Sequence, residues 1–527
     1  MNRSTLAAAL AAALSLSLSP ASAQSPAAVP AAPAEEVVHL NIFKVSAEQD
    51  TGYGVSTSTS ATRLATPLKD ISQTVNVVTD QFLKDTFSFS TADALRYVPN
   101  VSRRNTTHLP NQIMVRGFLV ETLFQDGFRT FEGGNEDLAN IARIEIIKGP
   151  ASAVTGRGEV GGAVNFVTKR PQKTAQHSID LTAGSDSFYR AVFDSTGPLN
   201  AAGTVRYRVI TAFQDNDGWK PVDHTQRLAL YPSFEWDISP KSQLSYSGSF
   251  SKVKAPGLSS VVWISSRVAG NPPGLPEGPT ARDAFLGESW ERRDIDIASH
   301  LVAFTHQFND TFSFRQGIQY GEATRMIAWP NTSPGIMLNA AGDILIGRNY
   351  TGQTDHWNQY LLQGEFVAQY ALLGGEHTTL VGYEYGNRTT DSIVLSGSLT
   401  PFNYTRRIYG AQPTNVAVNS ASLTKAENFG VPVQHMASFF KGLVKVMAGV
   451  RFDEAYSFQD FTNDGRPDPL NSWGAYTASP RYGLTISPKD WISFYAVQSE
   501  DKQSPITYPR YNQLKAGDPR ALETMTA

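Results

Sequence analysis

The 527-residue sequence has no cysteine, a small net charge and no long apolar run beyond its first eighteen residues. The absence of cysteine excludes a disulfide scaffold, a thiolate zinc site and a cysteine nucleophile. A formal net charge of −3 gives no overall electrostatic case for binding nucleic acid. No apolar segment after residue 18 approaches the roughly 20 residues of a membrane helix. If the chain lies in a membrane, it must therefore form a closed β-barrel, because only helices and closed barrels satisfy their backbone groups in lipid.

The N-terminus has the pattern of a secretory signal peptide. Arg3 supplies a positive charge, residues 6–18 form an apolar stretch, and Ala21-Ser22-Ala23 is a small-residue cleavage site. We therefore expect residues 1–23 to be removed during export.

A tether is predicted to follow, over residues 24–45. Its first part is rich in alanine and proline, which favours an extended, mobile chain. In its second part Val38, Leu40 and Ile42 alternate with polar residues. Such a segment suits strand addition to a partner's sheet edge. The alternative is that it forms the first strand of the next domain, and the sequence leaves both open.

Residues 46–171 have the composition of a small mixed α+β domain, and their size is usual for one domain. Short apolar segments predict strands at 74–78, 113–115, 144–147 and 163–167. One helix is predicted at 91–97, capped by Ser90 or Thr91 and stopped by Pro99.

From about residue 175 the pattern changes to long alternating strands. Between Gln359 and Tyr370 one face carries Tyr360, Leu362, Phe366 and Tyr370 while polar side chains dominate the other. A period of two over twelve residues is a β signal that no helix gives. Aromatic residues cluster at strand ends, as the interfacial girdles of membrane barrels require. A soluble β-propeller would need a regular repeat of about 40–50 residues, and the sequence shows none.

The connections between these strands alternate in length, as in outer-membrane barrels. Short turns are predicted near residues 237–240, 309–310 and 487–490. Long polar loops are predicted at about 253–293, 328–354, 389–430 and 457–474. Residues 172–527 are therefore expected to form an antiparallel transmembrane barrel.

Several motifs occur in a fixed order across both regions. They are 114–118 (MVRGF), 125–129 (QDGFR), 141–150 (IARIEIIKGP), 161–171 (GGAVNFVTKRP), 448–453 (AGVRFD) and 479–483 (SPRYG). Together they resemble the TonB-dependent siderophore receptors of the outer membrane. That resemblance implies an all-β transmembrane barrel with the N-terminal mixed α+β domain inside it as a plug.

The resemblance also implies where ligand and barrel contacts lie on the plug. Apex loops that face outward would carry the ligand-binding residues, which are Arg103, Arg104, Asn105, Glu121, Thr122, Phe131 and Glu132. Paired guanidinium groups suit an anionic chelate, and an aromatic ring can stack on a catechol. Arg116 and Lys148 match the plug cations that pair with barrel carboxylates in similar receptors.

The strand count departs from the family. Alternating segments predict about thirteen strands before Ser499, whereas members of the family close their barrels with twenty-two. The barrel is therefore expected to be incomplete and apparently truncated at its C-terminal side, with two open edges.

The functional expectation is active uptake of a ferric siderophore in the cell outer membrane, energised by TonB acting on residues 35–45. The siderophore is the transported ligand, so no cofactor or resident metal site is expected. The expected partners are the siderophore, TonB and outer-membrane lipid, and nucleic acid is not among them. An enzyme is not indicated. The alternatives are import of another bulky nutrient, such as a glycan or cobalamin, or a truncated fragment without function.

Overall fold

The computed structural model describes twelve ranges of the chain. These are residues 42–43, 52–104, 112–120, 123–130, 137–156, 160–218, 224–255, 262–265, 271–273, 275–281, 285–460 and 473–500. The predicted signal peptide and most of the predicted tether lie outside them. Within these ranges no helix is long and apolar enough to cross a membrane.

The N-terminal domain, or plug, is built from short strands and three short helices within its described residues. The strands are β1 (Thr57–Ser58), β2 (Thr66–Pro67), β3 (Thr74–Thr79), β4 (Val101–Arg104), β5 (Gln112–Val115), β6 (Phe118–Val120), β7 (Leu123–Gln125), β8 (Phe128–Arg129), β9 (Ile141–Lys148) and β10 (Gly162–Thr168). The helices are α1 (Asp80–Asp85), α2 (Thr91–Leu95) and α3 (Ser152–Thr155). A 3-10 turn covers Leu68–Asp70.

The central plug sheet has the strand order β3-β9-β10-β7-β8, and β4, β5 and β6 form a second sheet. In the central sheet, β10 pairs antiparallel with β9 and parallel with β7. Strands β9 and β10 are buried along almost their whole length, because other layers of the domain cover both faces of the sheet at these strands. Ile144, Ile146, Val164 and Phe166 are fully buried at the centre of this core.

Helix α2 begins and ends for local reasons. The Ser90 hydroxyl accepts a hydrogen bond from the backbone N–H of Asp93 at 3.3 Å, so Ser90 rather than Thr91 is the N-cap. The helix ends at Leu95, two residues before the predicted end. Pro99 disfavours helical geometry in the residue before it, which is consistent with this early stop.

The second domain is one large antiparallel sheet. Its main strands are β11 (Gln176–Gly184), β12 (Phe188–Pro198), β13 (Val205–Asp217), β14 (His224–Ser239), β15 (Ser242–Ala255), β18 (Arg292–Gln307), β19 (Phe312–Leu338), β20 (Ile344–Leu372), β21 (Gly375–Ser398), β23 (Thr414–Phe439), β24 (Val444–Asp460), β25 (Trp473–Lys489) and β26 (Ile492–Ser499). Three two-residue strands lie in its loops: β16 (Trp263–Ile264), β17 (Gly278–Pro279) and β22 (Phe402–Asn403).

Each main strand pairs with its neighbours in sequence, from β11 to β26. This path holds thirteen strands within the described residues, the number that the alternating segments predict. The short β22 pairs with β20 beside the path. Among the described residues no pairing joins β11 to β26, so the path has two edges, as the strand count led us to expect.

The two faces of the sheet differ as the alternation predicts. In β20, every second side chain faces inward and is buried, as for Leu361, Gln363, Glu365 and Val367. Tyr360 points to the opposite face and is 55% exposed. The buried face contacts the plug, and the exposed face carries the aromatic side chains expected of the lipid-facing surface of a membrane barrel.

Two of the predicted long loops are wrong in extent. Strands β19 and β20 continue through most of residues 328–354 and leave only a short turn between Leu338 and Ile344. Strands β21 and β23 likewise extend into residues 389–430. Register shifts interrupt both hairpins there, between Thr332 and Ile336 and between Val394 and Leu395, so the period-two signal is broken.

The sheet curves around the plug, because plug side chains pack against strands that are far apart along it. At strands β13 and β14, Ala139 of the plug packs against a cluster that includes Ile210 and Tyr231. Further along, Phe128 packs against Leu301 and Leu361. The plug therefore occupies the concave, buried side of the sheet.

Candidate functional site

The predicted ligand-binding residues lie mostly outside the described ranges. Asn105, Glu121, Thr122, Phe131 and Glu132 belong to this group.

The two arginines of that prediction lie at the end of β4. Arg103 is exposed, and its backbone lies opposite Ile113 of β5 in the sheet. The backbone of Arg104 lies opposite Gln112. The ligand-binding role of all seven residues stays a prediction.

The two predicted pairing cations lie next to each other on the plug. Lys148 is buried, and its Nζ donates a hydrogen bond to the carbonyl of Pro99 at 2.6 Å. Burial, followed by the positive charge of Arg116, lowers the pKa of Lys148. Within the described residues neither cation forms an ion pair with a barrel carboxylate, so that pairing also stays a prediction.

A different plug cation, Arg63, reaches the barrel wall. Its Nη1 lies 3.1 Å from Oε1 of Glu365 on β20, and its Nη2 lies 3.4 Å from Oε2 of Glu384 on β21. Its Nε donates to the carbonyl of Val154 in the plug at 2.8 Å. One guanidinium thus joins two barrel strands to the plug core. Burial lowers the pKa of Arg63, the charge of Arg451 lowers it further, and the two carboxylates offset part of that effect.

Both wall carboxylates have further cationic partners. Glu365 accepts a hydrogen bond from Nε of Arg315 at 2.9 Å. Glu384 lies 3.4 Å from Nη2 of Arg451 and 3.7 Å from Nε of Arg129. We call Arg63, Arg129, Arg315, Glu365, Glu384 and Arg451 the wall cluster. Because both carboxylates are almost wholly buried, their charges require such pairing.

The two residues before Arg63 are also fixed to the wall, through their backbone. Arg481 of β25 donates from Nη1 to the carbonyl of Ala61 at 2.7 Å. Gln434 of β23 donates to the carbonyl of Thr62 at 3.3 Å. Residues 61–63 are therefore held by side chains from four strands, and Arg63 adopts a left-handed backbone conformation with φ of 61° in doing so. We call residues 58–66 the anchor segment.

The start of the anchor segment is bonded to the plug itself through the buried Glu145. The hydroxyl of Ser58 donates to Oε2 of Glu145 at 2.7 Å, and the backbone N–H of Ser60 donates to the same oxygen at 3.2 Å. The other carboxylate oxygen lies 2.6 Å from Nη2 of Arg143. The anchor segment is thus a layer between the plug core and the wall.

A separate contact fixes the plug to the other part of the sheet. Arg190 of β12 donates from Nη1 and Nη2 to the two oxygens of Asp137 at 2.6 and 2.9 Å, and both side chains are buried. Bidentate geometry of this kind is the strongest form of an arginine–carboxylate pair.

A cavity of about 800 Å³ lies between the anchor segment and the wall, at the end of the sheet that carries the short turns. Its plug side includes residues 64–67, and its wall side includes Gln369, Thr378, Met436 and Met447. On β20, β21 and β24 these wall residues come on the short-turn side of the wall cluster. The cavity and the long-loop end of the sheet therefore lie on opposite sides of that cluster.

No group of three or more His, Asp or Glu side chains with metal-binding geometry occurs in the described part of the chain.

The wall cluster and the Asp137–Arg190 pair were not predicted from the sequence. Arg63 and Glu365 are separated by 302 positions, and no local pattern links them. A usable signal did exist, because Glu365 and Arg315 stand at inward positions of alternating strands, where an ionised side chain must find a partner.

Comparison with known proteins identifies both domains. The family model described as "TonB-dependent Receptor Plug Domain" matches residues 67–163. The family model described as "TonB dependent receptor-like, beta-barrel" matches residues 235–519.

Among curated proteins, the chain is similar to the metal-pseudopaline receptor of Pseudomonas aeruginosa strain UCBPP-PA14, with 28% identity over 493 residues. That match covers 89% of this chain and 67% of the relative. The ferrichrome outer membrane transporter/phage receptor of Escherichia coli K12 is 24% identical, with coverage of 84% and 64%.

Solved structures share the fold. The ferripyoverdine receptor of the outer membrane of Pseudomonas aeruginosa superposes with a TM-score of 0.76 at 19% identity, covering 86% of this chain and 60% of that one. The ferric-catecholate import receptor of Escherichia coli K12 gives 0.74 at 16% identity, covering 83% and 71%.

Proposed function

The chain belongs to the TonB-dependent receptor family of the outer membrane, and on that premise we propose that it imports a metal chelate of the siderophore or metallophore class. The ligand would bind at the long-loop end and be released at the short-turn end. TonB would supply the energy by pulling on the segment around Val38, Leu40 and Ile42. Since the chain spans 67% of one curated relative and 64% of another, its transport activity is part of this proposal.

The plug inside the sheet is the observation that carries the proposal. Its contacts with the wall run from Asp137 on one side to the wall cluster on the other. On this proposal, passage of the ligand requires work on the plug at these contacts. The outer membrane carries no nucleotide supply, and a tethered N-terminal segment is the route by which work can arrive.

The ligand class rests on chemistry and on the relatives. The relatives described above are named for metal–pseudopaline, ferrichrome, ferripyoverdine and ferric catecholate, all of which are chelated metals. The predicted Arg103 and Arg104 would meet the anionic oxygens of such a chelate.

Uptake of radioactive iron tests the proposal. Cells that lack their own receptors and produce this chain should accumulate iron from one class of ferric chelate, and deletion of TonB should abolish that accumulation. A second set of cells offered cobalt or nickel complexes would distinguish a metallophore from a siderophore. Uptake of cobalamin or a glycan instead would favour the alternative nutrient, and absence of any uptake by correctly inserted protein would refute transport.

A further inference from the structure

We propose that Arg63 is the releasable closure of the transport path, and that the ligand leaves between the plug and strands β20–β25 through the cavity of about 800 Å³. The rest of the plug would stay attached to the opposite part of the wall through Asp137 and Arg190. This inference deepens the proposed transport function and rests on it.

Arg63 can leave without depriving either wall carboxylate of its last cationic partner. When it withdraws, Glu365 keeps Arg315 at 2.9 Å, and Glu384 keeps Arg451 at 3.4 Å. Breaking a buried ion pair is strongly destabilising chiefly because one charge is left without compensation. Here both carboxylates retain a cation, so the separation avoids that penalty on the wall side.

The same redundancy occurs where the anchor segment meets the plug core. Ser58 and Ser60 donate to Glu145, but that carboxylate also has Arg143 within 2.6 Å. Removal of the segment therefore leaves Glu145 paired inside the plug. Both charged surfaces that the segment covers keep an ionic partner after it is gone.

The contact on the other side of the plug lacks this redundancy. Asp137 and Arg190 form a bidentate pair, and their further hydrogen bonds within the described residues are to neutral groups, the backbone N–H of Ala139 and the side chain of Gln214. Separating this pair would leave two buried charges. A force applied from the N-terminus should therefore detach the anchor segment and leave the plug core attached to β12.

The position of the cavity gives the direction of the path. Residues 64–67, at the end of the anchor segment, form one side of the cavity. The wall residues of the cavity continue beyond the wall cluster toward the short turns. Withdrawal of the segment joins this cavity to the lumen above. After Arg63 leaves, the three remaining guanidinium groups of the wall cluster face three carboxylates, because Asp453 also pairs with Arg451 at 2.8 Å. The opened path is therefore lined by paired charges.

The first test measures release of the anchor segment without any ligand. The chain has no cysteine, so a cysteine at Ala61, which is fully buried, reports opening through its rate of reaction with a water-soluble maleimide. In outer-membrane vesicles, Arg63→Gln should raise this rate by about tenfold or more, the factor expected from losing a charge-assisted hydrogen bond. Arg63→Lys keeps the positive charge but loses the two-pronged guanidinium that contacts both carboxylates. Its labelling rate should lie between those of the parent and Arg63→Gln.

The matched control is Lys69→Gln. Lys69 is also a plug cation paired with the barrel, but its partner Asp490 is fully exposed, and exposed pairs contribute little. It should leave the labelling rate at Ala61→Cys unchanged. Equal rates for Arg63→Gln and the parent, or an equal rise with Lys69→Gln, would overturn the role of Arg63.

The second test locates the path by tying the plug to the wall with a short thiol-reactive spacer. A Thr62→Cys/Gln434→Cys pair ties the anchor segment to β23, and an Asp137→Cys/Arg190→Cys pair ties the plug core to β12. The first tie should stop uptake while chelate binding persists, and cleavage of the spacer should restore it. The second tie should permit uptake.

Uptake that continues with the first tie, or that stops with both, would overturn the proposed path. Chelate binding by each tied protein checks that the plug has folded. If the untied chain transports nothing, the transport proposal fails, whereas the maleimide rates still decide whether Arg63 holds the anchor segment.

Discussion

Gly317 of strand β19 lies directly against the ring of Phe128 in the plug. A Cβ atom at Gly317 would fall 2.0 Å from one ring carbon, closer than any real contact. The ring is 2% exposed and packs against Leu301 and Leu361 of the wall. The wall thus has a recess that fits one plug side chain, and this fit sets the position of the plug along β19.

Filling this recess should loosen the plug. We expect Gly317→Ala to destabilise its seating by about 1–3 kcal/mol, the usual cost of overpacking a close-packed site. Gly474→Ala on β25 is the matched control, since a Cβ there meets nothing closer than 3.8 Å. Protease cleavage of the plug in detergent-solubilised protein measures the effect, and equal cleavage of both variants would contradict it.

Glu384 and its partner Arg63 should differ in how much they stabilise the fold. Glu384→Gln leaves Arg63 with Glu365 and Arg451 with Asp453 but takes one carboxylate from three arginines at once. We expect a loss of about 2–3 kcal/mol in the free energy of unfolding. Arg63→Gln leaves Glu384 paired and should cost about 1–2 kcal/mol. Denaturant unfolding followed by tryptophan fluorescence compares them. A larger loss for Arg63→Gln would show that the other arginines do not compensate.

Energy coupling should depend on the alternating segment of the tether. Leu40→Pro removes a backbone donor and fixes φ, so strand addition to TonB should fail and uptake should stop while chelate binding persists. Ala32→Pro in the proline-rich part is the control and should transport normally. Normal uptake by Leu40→Pro would place the coupling segment elsewhere.

Ligand affinity should depend on the arginine pair at the end of β4. Changing Arg103 and Arg104 together to alanine should weaken binding of an anionic ferric chelate by about 2–4 kcal/mol, because two charge-assisted hydrogen bonds are lost. Lys252→Ala, which removes a cation from the outer face of the sheet, should leave the affinity unchanged. Titration of the purified protein measures both, and unaltered affinity in the double variant would exclude the pair from the site.

Plug stability should fall in acid through Asp80. Burial raises the pKa of its carboxyl, but Lys169 at 3.1 Å and Lys84 at 2.8 Å outweigh this and hold the pKa below its ordinary value of 3.8. Such a group stabilises the folded state above its unfolded pKa, and that stability is lost as the pH falls through the lower, folded value. Asp80→Asn should therefore show a flatter loss of stability below pH 3.8 than the parent chain. Parallel acid-unfolding curves for the two proteins would contradict this.

The sequence predicted the elements whose signal is local. Strand β9 contains the apolar segment 144–147, α2 has a serine cap, and β20 has twelve alternating residues, and all three form near the predicted positions. The outer ends of β19 to β23 were missed because register shifts interrupt the alternation there.

The contacts between the domains could not be predicted in the same way. The partners of Arg63 lie 302 and 321 positions away, and which inward side chains meet depends on the curvature of the whole sheet. The resemblance to the family directed attention to Arg116 and Lys148 instead. Their side chains do lie side by side on the plug, whereas the ionic contacts of the described wall are made by other residues.

The lengths of the central strands have a consequence for how a dissolved chelate first meets the protein. Strand β20 has 29 residues and β19 has 27, whereas a tilted strand crosses the hydrocarbon layer with about 9–11. At about 3.3 Å per residue, the surplus extends tens of ångströms beyond the lipid. The outer ends of these hairpins therefore extend above the lipid headgroups. In the proposed uptake, a dissolved chelate would first meet the protein at these ends, well before it reaches the depth of the bilayer.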